Sequence, residues 1–198
     1  MTSPALSTRE ARRLATEIRI ARCAQILTAE RGLDGFTMDD LAEASALSRR
    51  TLFNYFPGKL DAVLGPVPVI AEDTRARFVE GGPHGRLVDD LAVLAHELLD
   101  GQSDALDRED IARITHLITT TPRLLTAVID RFEEFVGGFV DLIVEREQGR
   151  VDAVRARLLV RLLVTVFESA IGTYVAGDER SIPDLFDRTL AAARDLFT

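Results

Sequence analysis

Lysine is nearly absent from this chain: Lys59 stands alone against 23 arginines. That imbalance reads as the coding bias of a GC-rich gene rather than a folding requirement. Cysteine is as scarce. Cys23 is the only one, so no intramolecular disulfide can form and nothing points to an oxidising compartment. The apolar runs are well short of the roughly 18 residues needed to cross a bilayer. Residues 1–13 are polar, small or basic, unlike a secretory h-region, and residues 1–8 lack any periodicity. A cytoplasmic protein with no membrane partner is expected. Strand signals are missing too, with no sustained alternation and no Asn-Gly or Asp-Gly turn between β-branched runs.

The motifs of catalysis are also missing. There is no G-x-S-x-G, no P-loop and no G-x-G-x-x-G, and neither H-x-x-x-H nor C-x-x-C supplies a metal-ligand pair. No enzyme activity, cofactor or metal is expected. Cys23 falls on the apolar stripe of a helix and reads as a small core residue rather than a nucleophile.

Charge is present and unevenly spread. The net is −8, but residues 1–60 carry +2 and residues 61–198 carry −10. An acidic body repels nucleic acid, so a DNA-binding surface would have to be local and oriented. Five arginines, at 9, 12, 13, 19 and 22, crowd the first predicted helix, where a solvated face and phosphate contact are both open readings.

The segment Phe36 to Lys59, FTMDDLAEASALSRRTLFNYFPGK, is the most informative. Thr37 is a natural N-cap and Asp40, three residues on, completes a capping box. Met38, Leu41 and Ala42 then recur at helical spacing. Ser45-Ala46-Leu47 interrupts. Ser48 caps a second helix that carries Arg49, Arg50, Thr51 and Asn54, with Leu52 and Phe53 left for packing, and Pro57-Gly58 stops it. A short helix, a tight joint and a polar second helix describe a helix-turn-helix, whose second element enters the DNA major groove.

The stretch FTMDDLAEASALSRRTLFNYFPGKLDAV closely resembles the DNA-binding half of TetR-type transcriptional regulators, with Arg9 to Gly32 in the role of their longer first helix. The resemblance spans roughly residues 10–62 and rests on Gly32, Thr37, Leu41, Ala42, Ser48, Thr51, Leu52, Tyr55, Phe56 and Lys59. It implies an all-α protein: a three-helix head over residues 1–60 and a helical effector-binding and dimerisation body over residues 61–198, with about nine helices in total. It implies DNA contact through Thr37, Ser48, Arg49, Arg50, Thr51, Asn54, Tyr55 and Lys59. Arginine suits guanine O6 and N7, and Lys59 matches the family's phosphate-binding lysine. Two positions depart from the family pattern. Phe53 replaces a frequent tyrosine and loses its hydroxyl, and Thr28 stands where a larger apolar side chain is usual.

Beyond Lys59, Pro66 and Pro68 predict a break near Gly65, with helix resuming over 69–79. Further helices are expected at 86–100, 108–119, 122–147, 151–176 and 182–197, with Pro122 and Pro183 at first-turn positions and Ser181 as a capping candidate. The last two helices carry apolar residues on more than one face, among them Leu162, Val166, Ile171, Leu185, Phe186, Leu190 and Phe197. Either they are central to the protomer, or they bury one face inside and another against a second subunit. The family resemblance implies the second: a homodimer built on a four-helix bundle.

An effector site is the least defined. His96, His116, Arg123, Phe132 and Phe135 mix apolar surface with a few polar anchors, which suits a largely apolar cavity but also a packed core. Residues 119–135, TTTPRLLTAVIDRFEEF, resemble regulators of lipid-like or acyl ligands. The reading is a one-component regulator, a repressor released from a palindromic operator by a small-molecule effector of apolar character. Its rival is an all-α ligand-binding or protein-interaction module without specific DNA binding.

Overall fold

The computed structural model describes residues 8–103 and 106–196. The expectations for residues 1–7 and for Phe197 lie outside them. Ten α-helices account for the described fold: α1 Thr8–Arg31, α2 Met38–Ala44, α3 Arg49–Phe53, α4 Lys59–Leu64, α5 Glu72–Val79, α6 Leu87–Ser103, α7 Arg108–Thr120, α8 Pro122–Glu147, α9 Ala153–Val175 and α10 Ile182–Asp195. The protein is all-α, and no strand occurs among the described residues.

The chain divides into two compact units. One comprises the described parts of Met1–Pro68 and Ala105–Asp130; the other comprises those of Val69–Asp104 and Arg131–Thr198. The unit that carries the helix-turn-helix is therefore larger than residues 1–60. It takes in α4, α7 and the first turns of α8, and the division falls inside α8.

The first unit packs on α1. Ile20, Ala24, Leu27, Leu41, Leu52, Phe56 and Val63 are buried together, joined by Leu117 of α7 and Leu124 of α8. Each such Leu, Ile or Phe contributes about 1.5–3 kcal/mol by leaving water. Thr28, the small polar residue in this core, is buried and donates its hydroxyl to the Ala24 carbonyl at 2.7 Å. The helix backbone thus absorbs its polarity. Gln25, also buried, donates to the Val63 carbonyl at 3.0 Å and ties α1 to α4.

Helix ends follow the local chemistry. α1 ends at Gly32, whose φ of +73° is the left-handed conformation that glycine tolerates. Gly35 has a different reason to be glycine: a Cβ there would sit 2.0 Å from the Arg31 carbonyl oxygen. After α4 the proline pair acts as expected. Residues 65–71 are not helical and α5 begins only at Glu72, three residues later than the sequence suggested. Pro66 and Pro68 disfavour α conformation at the residues before them, and no side chain caps the start of α5.

The second unit has two buried clusters. Phe78, Leu91, Leu94, Val136, Val140, Ile143 and Val160 form one; Val166, Ala170, Leu185, Phe186 and Leu190 form the other. The second cluster corrects the subunit-contact reading. Val166, Leu185, Phe186 and Leu190 are interior residues of the protomer, where α9 and α10 pack on each other, and Ile171 is half-buried. Of the six, only Leu162 faces outward, in line with Leu158 and Val154 one and two turns earlier. α9 has the length and mean hydropathy, 1.6 over its most apolar 18 residues, that could cross a membrane by composition alone, yet only 17% of that window is buried within the chain.

Candidate nucleic-acid interface

The helix-turn-helix is built from caps. Thr37 accepts from the Asp40 backbone N–H at 3.1 Å while the Asp40 carboxylate accepts from the Thr37 backbone N–H at 2.7 Å. This is the reciprocal box the spacing predicted. Hydrogen bonds from the Thr37 hydroxyl and backbone hold the Asp40 carboxyl below its ordinary pKa. α2 closes with a Schellman pair: Leu47 N–H donates to Ala42 O at 2.9 Å and Ala46 N–H to Glu43 O at 3.0 Å. This places Ala46 at a φ of +53°, a conformation glycine would hold with less strain. The Arg19 guanidinium of α1 donates to the Ser45 carbonyl and clamps the same joint.

Ser48 then caps α3, accepting from the Thr51 backbone N–H at 3.1 Å, and the two hydroxyls lie 2.7 Å apart. Leu52 and Phe56 pin α3 to the core, which turns Arg49, Arg50, Phe53 and Asn54 outward. Tyr55 is half-buried under the Arg13 guanidinium, 5.4 Å from its ring centre.

Besides Tyr55, the residues assigned to DNA contact thus fall into three groups. Thr37, Ser48 and Thr51 use their hydroxyls in caps. Arg49, Arg50 and Asn54 form an exposed polar face. Arg50 has no ion-pair partner among the described residues, whereas Arg49 donates to Asp39 at 2.8 Å. Lys59 is more engaged than expected. Its ammonium donates to the Leu33 and Phe36 carbonyls at 2.8 and 2.9 Å and lies over the Phe36 ring. Two of its three protons fasten the α1–α2 connection to the start of α4.

Sequence reasoning missed the ion pairs that fix this unit. Asp110 of α7 is buried and accepts from Arg22 of α1, with the Nε contact at 3.1 Å, and from Arg113 at 2.8 Å. Burial pushes its pKa up, but the hydrogen bonds from Arg22 and Arg113 outweigh that and hold it below the usual range. Arg123 donates to Asp34 at 2.7 Å. No spacing in the sequence links partners 88 and 89 positions apart.

The proposed effector residues divide between the two units. His116, exposed on α7, and Arg123 belong to the first unit. His96, Phe132 and Phe135 belong to the second. His96 is half-buried, 2.7 Å from an Asp187 oxygen and edge-on to Phe186. Phe132 packs on the first cluster of that unit, and Phe135 tilts against Phe139. A groove of about 520 Å³ runs between α6 and α10, lined by Arg86, Asp89, Val93, His96, Asp187, Leu190 and Arg194 among others. Of the five residues, only His96 reaches it.

Residues 20–63 match the family model for bacterial regulatory proteins of the tetR family. A curated relative, the HTH-type transcriptional regulator TcmR of Streptomyces glaucescens, is 28% identical over 177 residues, covering 87% of this chain and 76% of that one. The fold is similar to that of a TetR-family transcriptional regulator from Mesorhizobium loti, at 18% identity, a TM-score of 0.52 and 96% of both chains. A Thermus thermophilus TetR-family repressor, FadR, solved with lauroyl-CoA, matches at 23% identity and a TM-score of 0.47, over 87% of this chain and 90% of that one. Residues 20–63 thus match the DNA-binding part of TetR-family regulators, and the relatives the chain resembles are DNA-binding transcriptional regulators rather than enzymes.

Proposed function

We propose that the protein is a homodimeric repressor that holds a palindromic operator in the cytoplasm and leaves it when a small molecule binds the helical body. The observation that carries this is the exposed polar face of α3, with Arg49, Arg50 and Asn54 turned outward by the burial of Leu52 and Phe56. Residues 1–60 supply the DNA contacts: Arg49, Arg50 and Asn54 toward bases, and Thr37, Ser48, Thr51, Tyr55 and the third proton of Lys59 toward phosphates. Residues 61–198 hold the effector and join the subunits. The dimer reading is supported by Val154, Leu158 and Leu162, an unpartnered apolar stripe along α9. Two recognition helices then meet successive major grooves about one helical turn apart.

An effector that prefers a conformer with the wrong head spacing weakens DNA binding, and DNA weakens effector binding by the same factor. The groove between α6 and α10 is the candidate effector site, with Val93 and Leu190 as apolar lining and His96 as a polar anchor. Fluorescence anisotropy with the DNA upstream of the protein's own gene tests the reading. Binding in the nanomolar range that weakens steeply with salt is expected. Equal affinity for unrelated DNA would favour a helical interaction module instead.

A further inference from the structure

Arg49, the first residue of the recognition helix, is held from two sides. Its Nη1 donates to Oδ2 of Asp39, on the first turn of α2, at 2.8 Å. Its guanidinium carbon lies 5.6 Å from the centre of the Phe53 ring, one turn along α3. Both partners of the ion pair are exposed, at 63% and 62% of the side chain, and Phe53 is exposed as well. An ion pair this open adds little to folding stability. Its consequence lies in what it does to the arginine. A flexible side chain is fixed in direction on the face that meets DNA, with Nε and Nη2 left free.

We propose that Asp39 is a positioning residue for base recognition. It holds Arg49 so that the free edge of the guanidinium meets guanine O6 and N7, and it keeps that guanidinium from settling on a phosphate. The inference rests on the DNA-binding reading of α3. A bidentate contact with guanine needs a guanidinium already in plane, and orienting it beforehand lowers the ordering cost of docking. Asp39 also acts against wrong sites. Where no guanine accepts Arg49, the carboxylate lies close to DNA phosphates and repels them, so non-specific complexes lose more than specific ones. Phe53 supports the same arrangement from below. The loss of the family's frequent tyrosine hydroxyl at this position gives up one polar contact and leaves a flat ring on which the guanidinium rests.

The experiment starts from a motif enriched from random duplex DNA by the wild-type protein. Affinities for that duplex, for the same duplex with the guanine read by Arg49 replaced, and for a scrambled duplex are measured across salt. Asp39→Asn should lower the ratio of motif to guanine-replaced affinity by about tenfold, the scale of one good base contact. It should tighten scrambled-duplex binding and steepen its salt slope by about 0.9, as Arg49 moves to a phosphate. Asp39→Glu keeps the carboxylate and should recover most of the discrimination. Phe53→Ala should weaken discrimination in the same direction.

Asp39 also sits in the first turn of α2, where a negative charge favours the helix. A lower melting temperature in Asp39→Asn with an unchanged affinity ratio would assign it to that role alone and overturn the proposal. An unchanged ratio and unchanged scrambled binding overturn it equally. A wild-type protein that enriches no motif removes the DNA reading itself, which is a different result from an enriched motif indifferent to Asp39.

Discussion

The Arg146 guanidinium closes on the Asp90 carboxylate where neither side chain meets solvent, at 3% and 0% exposure. The arginine does more than neutralise a charge. It also donates to the carbonyls of Phe78 at 2.7 Å and Gly81 at 3.3 Å, and it lies over the Phe78 ring. Asp90 in turn accepts from the His84 backbone N–H at 2.6 Å. The last turn of α5 and the loop after it are thus gathered onto α6 and α8 by one side chain. Arg146→Met should cost about 3–5 kcal/mol, because it leaves a buried carboxylate without its cation and takes a donor from several carbonyls. Urea denaturation reads this directly. A loss below about 1 kcal/mol would mean that the loop finds other partners.

Asp110 makes stability depend on pH in a defined direction. Its folded pKa is depressed, so its contribution is complete above the unfolded value near 3.9 and is lost as pH falls through the folded value. Asp110→Asn should therefore be less stable than the wild type at pH 7, by about 1–3 kcal/mol for its charge-assisted hydrogen bonds. The gap should narrow below pH 4. Denaturation curves for both proteins between pH 7 and pH 3 test this; a gap that does not change with pH would remove the carboxylate's charge from the account.

Ala46 supplies a stabilising change. An L-residue in the left-handed region costs about 1–2 kcal/mol, part of which glycine gives back as entropy in the unfolded chain. Ala46→Gly should raise stability by about 0.5–1 kcal/mol and leave DNA binding unchanged, since the side chain is a solvent-exposed methyl group. Thermal melting and an operator titration together check both halves.

The apolar residues of the last two helices separate by mutation. Leu158→Asp, on the outward stripe of α9, should give a folded protein that sediments as a monomer where the wild type sediments as a dimer. Phe186→Asp places a charge in the protomer interior and should lose more than about 4 kcal/mol, leaving unfolded or insoluble protein. Circular dichroism distinguishes the two. A dimeric Leu158→Asp would put the subunit contact on another face.

The parts legible in the sequence were those set by near neighbours. Thr37 with Asp40, Ser48 with Thr51, Gly32 and the proline pair act within a few residues, and the helices they bound lie close to where those signals stand. Burial within a wide apolar helix was not legible. Leu162 and Val166 are one turn apart with the same chemistry, yet one faces out and the other packs on α10. Long-range pairing was equally silent. Nothing near Lys59 announced that its ammonium would turn back to two carbonyls more than twenty residues upstream, and nothing near Arg49 announced Asp39. Such contacts depend on helix packing that no local pattern encodes.

The engagement of Lys59 has a practical side. It is the sole ε-amine in these 198 residues, and it sits at the base of the recognition unit with two of its protons already committed. Amine-reactive dyes, cross-linkers and coupling surfaces therefore have one lysine to attack, and acylating it removes the charged donor that fastens the connection between the first two helices. Conjugates made that way would carry their label at the point where it most disturbs the reading of DNA. Attachment through carboxylates of the acidic body keeps the head intact.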